Sequence, residues 1–161
     1  MTDLDKIIAI NRQRIGLDPH DLTADQAFSK ITGAHGRLCV YGTLRPDEEN
    51  HHLLEPIEGQ WDDVTYRGYF SPPDQSYGYP RIAWTPHGDE NHGDLVTSSK
   101  LPSHWAALDE FEGEDYCRLL TIVQSKTGPL VANIYGFIDS TRTHLLMMDG
   151  MNVHDDADFR V

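Results

Sequence analysis

The rhythm of apolar and polar positions changes near Arg37. Before it, Leu4, Ile7, Ile8 and Ile15 recur at helical spacing, with Thr2 able to cap the segment and Gly16 able to end it. Asp18-Pro19 marks a turn. Thr23 and Gln26 then fit a capping box for a short second helix carrying Ala27, Phe28 and Ile31. Gly33 and Gly36 form a hinge-like connection. This stretch is too short to bury a core alone, so residues 1–36 read as a helical extension packed on the rest of the chain. From Arg37 onward the pattern is one of short strands: Arg37 to Tyr41, Val64 to Phe70, Arg81 to Trp84, Asp94 to Thr97, Cys117 to Gln124 and Leu130 to Phe137. The last two, joined by Ser125-Lys126-Thr127-Gly128-Pro129, predict a hairpin. Breaks fall at Ser71-Pro72-Pro73-Asp74 and Gly78-Tyr79-Pro80. One conspicuous helix starts at Pro102 or Ser103 and ends at Gly113. Short strands around one such helix predict an α+β domain with a small, curled sheet over residues 37–138. Residues 139–161 read as a C-terminal tail packing on the core, with Leu145 to Met148 docked and Asp155 to Asp158 solvated. No internal repeat or low-complexity segment interrupts this order.

Composition narrows the partners. A chain of 161 residues with 39% hydrophobic content suits one packed core and argues against disorder. A net charge of −13 repels phosphate backbones and anionic membranes, so neither nucleic acid nor membrane is expected as a partner. Cys39 and Cys117 each lie in a strand-like run and read as small core hydrophobes rather than a disulfide framework. No segment approaches a membrane span, and the opening Met1-Thr2-Asp3-Leu4-Asp5-Lys6 lacks a basic start and a long apolar stretch. The expectation is a soluble, cytoplasmic protein.

Two places carry candidate chemistry. Tyr41-Gly42-Thr43-Leu44 follows the apolar run Leu38-Cys39-Val40. A strand that breaks into a tight turn leaves backbone N–H groups without ladder partners, and such groups can bind an anion or a developing oxyanion. The other reading is a plain turn after a strand. The segment lacks the several glycines and following Lys of a phosphate loop, so nucleotide binding is not supported. The second place is the helix ending at Gly113. At roughly 100° per residue, Leu101, Trp105 and Leu108 share one stripe, and Glu112 falls within it. Asp109 flanks that stripe and Glu110 points nearly the opposite way. Glu112 is then either a helix-end carboxylate that emerges beyond the core or pairs with Arg118, or a partly buried general base. Burial would raise its pKa toward neutrality, whereas a nearby Arg would oppose that shift.

Other constellations are weaker. His87, Asp89, Glu90, His92 and Asp94 cluster with Gly88 and Gly93 and could ligate a metal. They lack the helical His spacing of a zinc hydrolase and read as an exposed polar loop. His51 and His52 read as polar surface or as support behind a site. No Ser stands in a nucleophile elbow, and the apolar run around Cys39 favours an inert thiol.

Taken together, five segments in order resemble the γ-glutamylcyclotransferase-like (AIG2-like) family. They are Tyr41-Gly42-Thr43-Leu44, Gly78-Tyr79-Pro80, Gly93-Asp94-Leu95, Leu108-Asp109 through Glu112-Gly113 with Tyr116 and Arg118, and Ala132-Asn133-Ile134-Tyr135. The match covers about Arg37 to Phe137. The resemblance implies a small mixed β-barrel of about five to six strands with flanking helices and a cavity at the signature turn. It implies Glu112 as the acid/base residue and Tyr41, Gly42, Thr43 and Leu44 as the backbone holding a small γ-glutamyl compound. Tyr116 would border the pocket, and Arg81 and Arg118 are candidates either for partners of a substrate carboxylate or for structural ions. The implied chemistry releases 5-oxoproline and an amine or amino acid, with no metal or organic cofactor. The alternative is a non-catalytic small-molecule-binding or regulatory module on the same fold. The chain departs from the family pattern at Pro46-Asp47-Glu48-Glu49, where a Gly is common and an acidic stretch is expected to line the entrance. It departs again at Asp94 and Val96, where loss of a Tyr is expected to reshape a pocket wall.

Overall fold

A computed structural model describes residues 1–153; the acidic end at Asp155 to Asp158 lies outside the described residues. Six strands form the sheet: β1 (Arg37–Val40), β2 (Gln60–Ser71), β3 (Arg81–Trp84), β4 (Asp89–Thr97), β5 (Tyr116–Ser125) and β6 (Gly128–Phe137). Their order is β3-β2-β4-β1-β6-β5, and β2 also pairs with β5. That last pairing, Thr65 with Gln124 and Tyr66 with Val123, closes five strands into a barrel and leaves β3 as an extra strand on β2. The barrel is mixed: β1 runs parallel to β6 and antiparallel to β4.

Successive residues of a strand face opposite sides, and β1 shows this cleanly. Cys39 joins one apolar cluster with Val64, Tyr66, Leu95 and Ile134, while Leu38 and Val40 join another with Val96, Trp105 and Leu108. Helix α1 (Asp3–Arg14) begins with a capping box between Thr2 and Asp5 and sends Ile7 and Ile10 into the first cluster. Its Asn11, fully buried, donates to the Leu120 carbonyl and accepts from the Leu120 N–H, each at 2.8 Å. The side-chain amide thus satisfies a peptide group of β5 as a neighbouring strand would.

Several expectations need correction. Helix α2 (Leu22–Thr32) is capped by Asp21, whose carboxylate accepts from the Ala24 N–H, and not by a box starting at Thr23. Ile31 does not help carry that helix onto the core: it is 85% exposed. The polar stretch from Asp89 to Asp94 is not a loop but the first half of β4, paired with β2 from Gly68↔Asp89 onward. Its polar residues, exposed or half-buried, fall on both sides of the strand, and Gly93 admits Cys39 and Tyr66, since a Cβ there would meet Cys39 Sγ at 2.8 Å and the Tyr66 ring at 3.1 Å. Among the described residues, no group of His, Cys, Asp and Glu is arranged to hold a metal ion. The helix carrying Glu112 starts later than expected. Leu101–His104 forms a 3-10 turn with Pro102 in its first positions, and α3 spans Trp105–Glu112. The tail is helical, α4 (Ile138–Val153), and of its apolar run Leu145 and Met148 are buried while Leu146 and Met147 are exposed. Among the described residues no helix is long and apolar enough to cross a membrane.

Candidate active site

Where β1 ends, the chain turns at Tyr41 and a cavity of about 130 Å³ opens. Tyr41, Gly42, Thr43 and Leu44 line one side, and Glu112 and Tyr116 line another. The turn is braced from behind. Asn50 donates its N–H to the Thr43 carbonyl and its Nδ2 to Thr43 Oγ1, both at 2.9 Å. His51 Nδ1 lies 3.0 Å from the Leu44 carbonyl, with its ring against Trp61. Among the described residues, the N–H groups of Gly42, Thr43 and Leu44 meet no acceptor. Unpaired N–H groups in a turn can receive an anion in the manner of a backbone nest.

Glu112 closes α3, and Gly113 follows with φ +85°, a conformation that suits glycine and stops the helix there. Among the described residues its carboxylate meets no cation and no hydrogen-bond donor. Burial, and secondarily the nearby Asp109 carboxylate, pushes its pKa up to about 7. Burial and then the Glu112 charge push Tyr116 up to about 12, and its hydroxyl donates to the Pro80 carbonyl at 3.1 Å. The Tyr41 hydroxyl donates to the Tyr135 carbonyl at 2.5 Å, and burial holds Tyr41 protonated. Burial also raises the thiol pKa of Cys39, which disfavours the thiolate a nucleophile needs.

The two arginines are engaged in ion pairs with other carboxylates. Arg81 pairs with Asp74 at 2.9 Å and stacks on Tyr77, 4.5 Å from the ring centre. Arg118 pairs with Asp109 at 3.0 Å rather than with Glu112, and its guanidinium lies over Trp105. Neither lines the cavity. The acidic stretch at Asp47, Glu48 and Glu49 does not line it either, nor do Asp94 and Val96. Asp94 instead holds Arg45 at 2.9 Å, and Val96 is fully buried in the second apolar cluster.

Sequence reasoning missed part of the wall. Tyr79 and Phe111, both substantially exposed, frame the cavity, and Tyr135 forms its buried side. Tyr79 and Tyr135 stand in segments already singled out. Phe111 could have been flagged as an aromatic outside the helix's apolar stripe.

Residues 38–151 match the family model described as Gamma-glutamyl cyclotransferase, AIG2-like. The crystal structure of YkqA from Bacillus subtilis is similar at 25% identity and TM-score 0.50, covering 78% of this chain. The chain spans about half of YkqA, 49% of its length. A solution structure from Arabidopsis thaliana aligns at 16% identity and TM-score 0.52, covering 77% of each chain, and shows the shared fold. An AIG2-like protein from Mus musculus aligns at 20% identity and TM-score 0.47, over 65% of this chain and 78% of its own. No curated protein matches the sequence.

Proposed function

Because the chain belongs to the gamma-glutamyl cyclotransferase, AIG2-like family, we propose that it cyclises the γ-glutamyl group of a small compound to 5-oxoproline and releases an amine or amino acid. The observation that carries this reading is that Glu112, with its pKa raised to about 7, shares one cavity with the turn at Tyr41 to Leu44. The substrate's α-amine and γ-carbonyl are tethered, so holding it folded supplies much of the acceleration. Glu112 takes a proton from the α-ammonium, and the freed nitrogen attacks the γ-carbonyl carbon. The N–H groups of the turn hold the oxyanion or the α-carboxylate. As the intermediate collapses, the bond from that carbon to the leaving nitrogen breaks and Glu112 returns the proton to that nitrogen; the ring nitrogen, still carrying two hydrogens, gives its second proton to the freed Glu112 carboxylate, which passes it to the departing amine, leaving a neutral lactam and an ammonium ion. A carboxyl poised near neutrality suits these transfers.

The cavity's size bears on how the substrate sits. A void of about 150 Å³ holds a molecule the size of benzene. A γ-glutamyl group is larger than benzene, so with about 130 Å³ here it reaches from the turn toward the mouth beside Tyr79 and Phe111, and the departing group lies outside the cavity.

The test is to incubate wild type and Glu112→Gln with γ-glutamyl amino acids and γ-glutamylamines and to measure 5-oxoproline by mass spectrometry. Product from wild type, with a loss of about 10²–10⁴-fold in the folded variant, supports the reading. Binding of a panel member without turnover by either protein would replace it with a binding module.

A further inference from the structure

The helix that carries Glu112 is tied to the barrel through one carboxylate. Asp109 lies three residues before Glu112, on the adjoining face of α3. Its Oδ1 accepts from the Tyr135 hydroxyl at 2.6 Å and from Arg118 Nε at 3.0 Å, and its Oδ2 accepts from Arg118 Nη2 at 3.4 Å. Arg118 and Tyr135 are direct partners across the β5–β6 ladder, so both donors rise from one spot on the sheet. The Arg118 guanidinium also covers the ring of Trp105, the first residue of the same helix, at 4.3 Å. On the far side, the Tyr135 carbonyl receives the Tyr41 hydroxyl at the head of the turn. A continuous set of bonds therefore runs from α3 through Asp109, Tyr135 and Tyr41 to the turn. Tyr135 is buried, and Asp109 is the acceptor for its hydroxyl, so losing that carboxylate strands a buried donor.

We propose that Asp109, held by Arg118 and Tyr135, is a positioning residue that fixes the end of α3 so that Glu112 meets the Tyr41–Leu44 turn across the cavity. The proposal rests on Glu112 being the acid/base residue. It gives Arg118 a task outside substrate binding: that side chain orients Asp109 and offsets its charge.

The electrostatics agree with the geometry. Asp109 is the charged neighbour that opposes ionisation of Glu112. Tyr41 from the turn, Tyr116 from β5 and Tyr135 from β6 also face this carboxyl, and burial keeps all three protonated at neutral pH. Arg118 stands behind Asp109, while Arg81 and Asp115 act on Tyr116. Neutralising Asp109 therefore lets Glu112 ionise at lower pH, and removing Arg118 leaves the Asp109 charge unopposed and does the reverse. A merely structural brace would alter stability without shifting the titration in opposite directions.

The experiment tracks the Glu112 carboxyl directly by carbon-13 NMR, identifying its resonance by its loss in Glu112→Gln. Wild type, Asp109→Asn and Arg118→Met are titrated, with thermal unfolding confirming that each is folded. The expected midpoint falls by about half a pH unit or more in Asp109→Asn and rises by a similar amount in Arg118→Met. The acidic limb of kcat/KM moves with it, and kcat drops by about tenfold in both. Unshifted midpoints, or an unchanged kcat, in both folded variants would overturn the proposal. Absence of 5-oxoproline from wild type would instead remove the cyclotransferase reading, while the NMR midpoints would still decide whether Asp109 governs Glu112.

Discussion

At the scale of single residues, Glu112 ties stability to pH in the direction opposite to a salt-bridged carboxylate. Its folded pKa of about 7 lies above the ordinary 4.5, so the folded protein holds this proton more tightly than the unfolded chain does. The resulting stabilisation is complete below about pH 4.5 and is lost as pH rises through 7. Glu112→Gln keeps the shape and carries no charge. Its unfolding free energy should therefore gain on wild type across that window by up to about 1.4 kcal/mol per pH unit, and then run parallel. Urea unfolding at pH 4.5, 6 and 8 measures this; a constant gap between the two proteins would contradict it. Under the proposed role of Glu112 as the base, activity should rise with pH across the same pKa, since that carboxyl must first be deprotonated. The inward position of Glu112 was legible from its place in the stripe with Leu101, Trp105 and Leu108. The destination of Arg118 was not. Asp109 and Glu112 sit on neighbouring faces of one helix turn, and only the register of Arg118 opposite Tyr135 selects Asp109.

Among elements, α1 is held by more than its apolar face. Asn11 is bonded to both backbone groups of Leu120, so Asn11→Leu would strand two buried polar groups at once. A loss of about 2–4 kcal/mol is expected, read from the shift in urea midpoint at unchanged slope. Asp21→Ala, which removes only the α2 cap, should cost about 1 kcal/mol in the same assay. Most elements could be read in the chain because their apolar spacing survives in local sequence, as at Ile7 and Phe28 or in the β5–β6 hairpin. β4 was only half legible: from Asp89 to His92 both sides of the strand are polar and its first buried position is Gly93, so the alternation that marks a strand is missing there. Helix α4 was obscured for the opposite reason. Four apolar residues in a row, Leu145 to Met148, conceal which two face the core.

For the whole molecule, the sharing of one apolar cluster by α1, α2, α4 and the barrel argues that these helices do not unfold on their own. Calorimetry should give a single transition with matching van't Hoff and calorimetric enthalpies; a separate low-temperature transition would mark the helices as an independent unit. The closed barrel itself was legible only through the order of five short motifs, since no local pattern announces that β1 lies beside β6 or that β2 meets β5. That side-by-side placement of β1 and β6 also has a meaning in time. Tyr41 and Tyr135, whose contact joins the turn to the adjoining strand, are 94 positions apart. At a synthesis rate of about 5–20 residues per second, the turn leaves the ribosome roughly 5–20 s before its wall exists. A nascent chain halted anywhere ahead of β6 therefore carries the signature turn but encloses nothing, and the cavity comes into being only when the last strand of the barrel arrives.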